Sequence, residues 1–331
     1  MTDWRKVPKV ELHLHLEGAA PPDFIRGIAA EKGIDIDAAF DGAGGYRWGD
    51  FADFLTTYEL ACSVLRAPDD FGRLVEAVLA SSAGQGVIYT EIFLAPDLCG
   101  DGSEAAWGEY LAAMDEGAAA AEAEHGIVCR FIPTAIRHFG AVRAENAARS
   151  SAASAGGRVV GFGMGGDERF GGAADFARAF AIAGEAGLGL TVHAGEVCGP
   201  ESVRAALDAL PVTRIGHGVR AIEDAELVAR IAGAGIVLEV NPGSNIALGL
   251  YDDFAAHPIA RLREAGCRVT VSTDDPPYFH TDMTKEYAGL ARAFGWTGAD
   301  FAVMNRTAIE AAFCDAELKA VLRERLESEV P

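Results

Sequence analysis

The chain has 331 residues, 50% of them hydrophobic, and its 28 lysines and arginines against 49 aspartates and glutamates leave a formal charge of −21. Such a field repels phosphate backbones and anionic lipid, which excludes nucleic acid and membrane partners but not a neutral or cationic small molecule. The six cysteines form no CxxC pair, the opening MTDWRKVPKVELHLH has no apolar run for a signal peptide, and no uncharged apolar stretch is long enough to span a bilayer, so a reduced, cytoplasmic protein is expected.

Eight short runs rich in β-branched and aromatic residues read as strands. They are VELHLHL (10–16), GVIYTEIFLAP (86–96), VCRFIPTAI (128–136), VVGFGMGG (159–166), GLTVHAGE (189–196), RIGHG (214–218), IVLEVNPGSN (236–245) and CRVTVSTDDP (267–276). Amphipathic helices fill the intervals, as in DAELVARIAGAG (224–235), where Leu227, Val228 and Ile231 share a face. The Ala-rich patches at 112–123 and 144–155 read as plain helix. Alternating strands and helices imply a parallel sheet, and eight units fit a (β/α)8 TIM barrel; a doubly wound open sheet is the competing layout. The interval from 17 to 86 is too long for one crossover. It contains FADFLTTYELACSVL (51–65), with Phe51, Phe54, Leu55 and Tyr58 at helical spacing, either an outer-ring helix or an apolar lid over the barrel mouth. The expected organisation is one domain over 1–331, with a helical insertion at about 20–85 between the first and second strands and C-terminal helices at about 282–328.

Polar residues gather where these strands end. In ELHLHLEG the alternation of β-structure sends Leu12, Leu14 and Leu16 to one face and His13 and His15 to the other. His193 and Glu196 end the fifth strand, His217 the sixth, and Asp274 and Asp275 follow the eighth. In a barrel all these ends meet at one rim, where such folds carry active sites. Each residue alone reads as ordinary: a buried histidine with a hydrogen bond, or a turn at DDP. Their joint register is what points to a site. His125, His138, His257 and His280 fall outside it and read as structural. Three imidazoles and a carboxylate suit zinc or a similar divalent ion, with His13, His15, His193 and Asp274 as ligands and a water completing an open catalytic site. His217, Glu196 and Asp275 remain for proton transfer and substrate binding. No lysine ends a strand to bridge a second metal, so one ion is expected. The H-x-E…P-C-x-x-C signature of the cytidine-deaminase type is absent.

Together PKVELHLHLEGA (8–19), GGDE (165–168), HAGE (193–196), RIGHG (214–218), NPGSN (241–245) and STDDP (272–276) resemble the adenosine/adenine deaminase family of the amidohydrolase superfamily. The resemblance implies zinc on His13, His15, His193 and Asp274. It implies that His217 orients a metal-bound hydroxide and helps take its proton, while a protonated Glu196 protonates purine N1. Asp275 accepts a hydrogen bond involving N7, the Gly166 amide donates to N3, and attack at C6 releases ammonia. His15 and Glu17, with Phe51 and Phe54 of the helical insertion, are expected to line the substrate pocket.

Glu17 departs from the Asp common in adenosine deaminases, where that residue contacts ribose. HLEG and HGVR lean towards the adenine-specific branch, GGDE and RIGHG towards the nucleoside branch. On balance adenosine or deoxyadenosine is the expected substrate, with adenine or another N6-substituted aminopurine the alternative. Another mononuclear amidohydrolase and a non-catalytic purine-binding barrel are the remaining readings. Oligomeric state is not legible.

Overall fold

In this computed structural model, which describes residues 2–329, eight parallel strands follow chain order round one sheet. They are β1 Lys9–His15, β2 Val87–Leu94, β3 Val128–Ile136, β4 Gly161–Gly165, β5 Gly189–Ala194, β6 Arg214–His217, β7 Val237–Val240 and β8 Arg268–Val271. The sheet closes just past β8. Leu14 bridges Asp274, the His15 amide donates to the Asp274 carbonyl at 3.0 Å, and the Asp274 amide donates to the His13 carbonyl at 3.1 Å. Lower on the same seam, Ser272 Oγ accepts from the amides of Leu12 and His13 at 3.2 Å each. The protein is a (β/α)8 barrel, and the open doubly wound layout is ruled out.

The helices are α1 Pro22–Lys32, α2 Phe51–Cys62, α3 Pro68–Ala83, α4 Glu104–His125, α5 Ala141–Ala153, α6 Ala177–Glu185, α7 Pro200–Ala209, α8 Ala225–Ala234, α9 Pro242–Ala247, α10 Ile259–Glu264, α11 Met283–Phe294, α12 Gly298–Ala311 and α13 Ala316–Glu329. Local chemistry sets their limits. Asp50 starts α2 by accepting from the amides of Ala52 and Asp53, and Asp224 starts α8 in the same way. Gly235 ends α8 in the left-handed conformation that glycine adopts without strain. Helices α3 and α4 pack at very close range. A Cβ on Gly117 would stand 2.2 Å from the Gly72 carbonyl oxygen, so only glycine permits this crossing.

Between β1 and β2 lie three helices, α1 to α3. The stretch Phe51 to Arg66 lines the barrel mouth, whereas α3 packs on α4 in the outer ring. Two strands end well short of their expected length: β8 stops at Val271, ahead of STDDP, and β7 is cut in the same way. β7 stops at Val240, and NPGSN turns into the short helix α9 with Pro242 in its first turn. Proline is preorganised for a first helical turn and has no amide for a ladder, so the run cannot continue as a central strand.

Leu12 packs with Ile309 and Leu322 from α12 and α13, while Leu14 and Leu16 join the main core. The barrel interior below the mouth is charged. Arg214 on β6 pairs with Glu91 of β2 at 2.5 Å and with Glu239 of β7 at 2.5 Å, and all three are essentially inaccessible. Thr191 Oγ1 donates to Glu239 at 3.0 Å and Tyr89 to Glu91 at 2.7 Å, so these buried carboxylates are saturated with donors. Among the described residues no helix is long and apolar enough to cross a membrane.

Candidate active site

The C-terminal ends of the strands bring His13 and His15 (β1), His193 (β5) and Asp274 (after β8) together. Their donor atoms lie within 4.8 Å of one another, and Glu196, His217 and Asp274 form an adjoining cluster by the same measure. His217 Nε2 is 3.8 Å from Glu196 Oε1 and 3.8 Å from Asp274 Oδ2. Two of these residues have left-handed backbones, His217 at φ 60° and Asp274 at φ 69°. That conformation is costly with a side chain, and it is tolerated here where it turns both groups into the mouth.

Two of the three imidazoles, His13 and His193, are held by their far nitrogens. His13 Nδ1 donates to Glu239 Oε2 at 2.8 Å, which turns its buried Nε2 towards the cluster. His193 Nδ1 donates to the Met164 carbonyl at 2.9 Å, which leaves the Nε2 lone pair facing the cluster. His15 Nε2 and His193 Nε2 stand only 3.1 Å apart. Asp274 Oδ1 is 3.3 Å from the Nε2 atoms of both His13 and His15, and its Oδ2 accepts from Ser244 Oγ at 2.7 Å. Converging nitrogens fixed by carboxylate and carbonyl partners are the arrangement metal-binding histidines require. Burial opposes charge on His13, yet its hydrogen bonds to Asp274 and Glu239 outweigh that and lift the ring to about 9. Asp274 is held well below the usual carboxylate range: burial works against this, and His217 and the hydrogen bonds of His13 and His15 prevail. The carboxylates around this cluster thus call for positive charge, and a divalent cation on the four donors meets that demand.

Glu196 stands opposite, almost wholly buried. Burial, with the charges of Asp274 and Glu168, drives its pKa well above the usual carboxylate range. Its loop is held by a residue missed in the sequence. Glu168, buried, takes the amides of Gly195, Glu196 (3.1 Å), Val197 (2.9 Å) and Cys198 (2.8 Å) together with the Ser202 hydroxyl at 2.5 Å. Asp275 is also pushed well up, by burial and then by Asp274, Glu196 and Glu17. Its Oδ1 has room only because residue 18 is glycine: a Cβ there would fall 1.5 Å from that oxygen.

A cavity of ≈ 520 Å³ opens over these groups. Phe51, Phe54, Leu55 and Tyr58 of α2 form one wall, and the Arg169 guanidinium lies 5.5 Å from the Phe51 ring centre. Gly166, at φ +94°, forms part of the opposite wall, where a Cβ would meet His138 Nδ1 at 2.9 Å. Glu17 also faces the cavity, but its side chain is engaged: it accepts the Ala95 amide at 3.3 Å and a hydrogen bond from Tyr58, and only 3% of the residue is exposed. Burial lifts its pKa to about 7. Of the four histidines read as structural, His138 lines the cavity and His257 contacts Asn245 beneath His217. His125 and His280 lie at the surface.

A barrel with an imidazole and carboxylate cluster at its C-terminal mouth, beside a buried acid whose pKa is raised, is the architecture of a hydrolytic metalloenzyme. The chain belongs to the adenosine deaminase family, whose model, "Adenosine deaminase", matches residues 8–329. It is accordingly a hydrolase of carbon–nitrogen bonds in cyclic amidines. It is 50% identical over 321 residues to a protein named adenine deaminase from Rhizobium leguminosarum bv. trifolii, covering 96% of this chain and 98% of that one. A protein of the same name from Agrobacterium fabrum is 49% identical over 321 residues, 96% of this chain and 97% of its own. Among solved structures, the adenine deaminase of Arthrobacter aurescens superposes with a TM-score of 0.87 at 29% identity, covering 97% of this chain and 98% of that one. An amidohydrolase from Burkhoderia ambifaria with bound Zn gives 0.85 at 27% identity, covering 98% and 91%.

Proposed function

We propose that this protein deaminates adenine, releasing ammonia and the 6-oxopurine base, with one zinc ion held by His13, His15, His193 and Asp274. The observation that carries this reading is end-to-end similarity at about half identity to proteins named adenine deaminase. It displaces adenosine, the substrate expected from the sequence, in favour of the alternative weighed there. The state of Glu17 agrees: a carboxyl locked against Ala95 and Tyr58 is part of the wall, not a free acceptor for ribose hydroxyls.

Zinc bound to this donor set would lower the pKa of water to about 7 and so supply a nucleophile at neutral pH. The rest falls to the chain. Glu196 gives its proton to N1, which withdraws electrons from C6 as the oxygen adds there. A neutral carboxylic acid can do this only because its site keeps it protonated. In the N9–H form of the base N7 can only accept, so a carboxyl that meets it there, as Asp275 would, does so as a donor, the opposite polarity to that expected from the sequence. The Gly166 amide, on the cavity wall, would donate to N3. Phe51, Phe54 and Tyr58 cover the ring and exclude bulk water, which strengthens every charge interaction beneath them. The amino group then takes one proton of the added water and leaves as ammonia, and the other proton of that water restores Glu196.

Ultraviolet assays with adenine, adenosine, deoxyadenosine and N6-substituted purines, compared by kcat/KM, test the substrate. Adenine should lead. Equal or higher efficiency with a nucleoside would overturn the choice of base and leave the deaminase chemistry standing.

A further inference from the structure

The chain of polar groups beneath His217 begins at a backbone amide. The Ile259 N–H can only donate, and it points at His257 Nδ1 from 3.2 Å. His257 is buried, and burial draws its pKa down to about 3, so the ring is neutral and its single proton sits on Nε2. That nitrogen lies 3.1 Å from Asn245 Oδ1. With its carbonyl turned to His257, the Asn245 amide directs its NH2 the other way, where Nδ2 is 3.3 Å from His217 Nδ1. The NH2 of Asn241 approaches the same nitrogen, also at 3.3 Å. An amide NH2 has no lone pair to offer, so His217 Nδ1 must accept. A neutral imidazole that accepts at Nδ1 carries its proton on Nε2. His217 Nε2 is buried with no hydrogen-bond partner among the described residues, 3.8 Å from both Asp274 Oδ2 and Glu196 Oε1.

We propose that His257, acting through Asn245, locks His217 in the Nε2–H tautomer, so that His217 meets the reacting water as a hydrogen-bond donor and not as its base. His257 and Asn245 are then positioning residues, although neither faces the cavity. The consequence for the proton is direct. Nε2 has no lone pair to take it, and Glu196 is occupied with N1. When the water O–H bond breaks, the proton passes to the Asp274 carboxylate while the oxygen electron pair forms the bond to C6. This inference rests on the hydrolytic reading of the site but is independent of which aminopurine is bound.

Long-range proton–nitrogen correlation spectra of metal-free protein labelled with 15N-histidine read the tautomer without substrate or turnover. His217→Gln identifies the signals. At neutral pH the His217 Nδ1 should be the unprotonated nitrogen and Nε2 the protonated one; a proton on Nδ1 overturns the proposal whatever the enzyme's substrate proves to be. His257→Gln keeps a donor for Asn245 and should preserve the tautomer, whereas His257→Leu should mix the two forms and lower kcat roughly 10–100-fold with KM little changed, the loss typical of outer-shell partners. A wild-type spectrum and kcat in His257→Leu would remove His257 from the relay. Asn245→Asp presents only acceptors to Nδ1 and should drive the proton onto it. Should that buried charge prevent folding, the wild-type spectrum still decides.

Discussion

Glu168→Gln replaces one of two oxygens that between them collect five donors. Oε2 serves three consecutive amides, Glu196, Val197 and Cys198, and Oε1 serves Gly195 and the Ser202 hydroxyl. The least harmful placement puts the new NH2 on the Oε1 side, where Ser202 can rotate to accept. The Gly195 amide is then buried without a partner, at a cost of about 1–3 kcal/mol. The three remaining bonds lose their charged acceptor, and such bonds are roughly twice as strong as neutral ones. A total of about 2–5 kcal/mol follows, or a fall in Tm of about 3–7 °C for a chain of 331 residues. Because the same loop carries Glu196, a displacement of about 1 Å should reduce kcat on the order of 10²-fold. His193 is anchored by the Met164 carbonyl, so bound metal should stay near the wild-type level. Steady-state kinetics, thermal melts and metal analysis on one preparation check all three. Wild-type kcat together with wild-type Tm would refute the reasoning, because the loop would then hold without the carboxylate.

Three further outcomes are expected. Glu196→Gln should retain metal and lose about 10²–10⁴-fold in kcat, the share ascribed to a positioned acid; unchanged turnover removes Glu196 from the mechanism. Gly117→Ala should drive a methyl against the Gly72 carbonyl, destabilise by about 1–3 kcal/mol in denaturant melts, and leave kcat per folded molecule alone; no loss of stability would mean the two helices separate freely. Glu286, wholly buried, accepts from the Gly243 amide at 3.0 Å and from Thr281, and burial lifts its pKa from 4.5 to about 8. A raised folded-state pKa adds stability that is complete below pH 4.5 and lost as pH rises through about 8. Glu286→Gln should therefore flatten the decline of stability between those limits by up to one proton, measured as melting against pH in metal-free protein; an unchanged slope would show that Glu286 ionises normally.

The metal-ligand candidates were legible because strand alternation and barrel topology are both written in short-range pattern. His13 and His15 two apart, and His193 and Asp274 at the ends of their runs, needed only the barrel to bring them together. The supporting groups carry no such mark. Glu239 lies in IVLEV and Glu91 in IYTEIFL, where a carboxylate between aliphatic residues reads as a solvent-facing alternation; here each faces inward onto Arg214. Glu168 stood in a quoted motif, yet nothing local says that its carboxylate reaches the loop after β5. The NPGSN segment was assigned to a strand because its apolar lead-in is β-like, although Pro242 was the signal for a helix start. His257 read as structural, and its link to His217 exists only in the folded packing. HLEG, with Glu17, leaned towards adenine and was outweighed by GGDE and RIGHG, because sequence reports the Glu17 carboxylate but not its engagement by Ala95 and Tyr58.

The seam that closes the barrel uses the same residues as the donor cluster: His13 and His15 give their backbones to it and Asp274 answers from the other end of the chain. On the ribosome the first two imidazoles therefore emerge long before the carboxylate that completes their set. A metal ion met early finds only a weak, flexible pair of nitrogens, and the full-strength site appears when the eighth strand docks. Such long-range closure is a slow step in folding, and any ion that prefers the finished site pulls it forward. Cellular metal supply would then govern how much of this protein reaches its closed form, as well as how fast that form turns over.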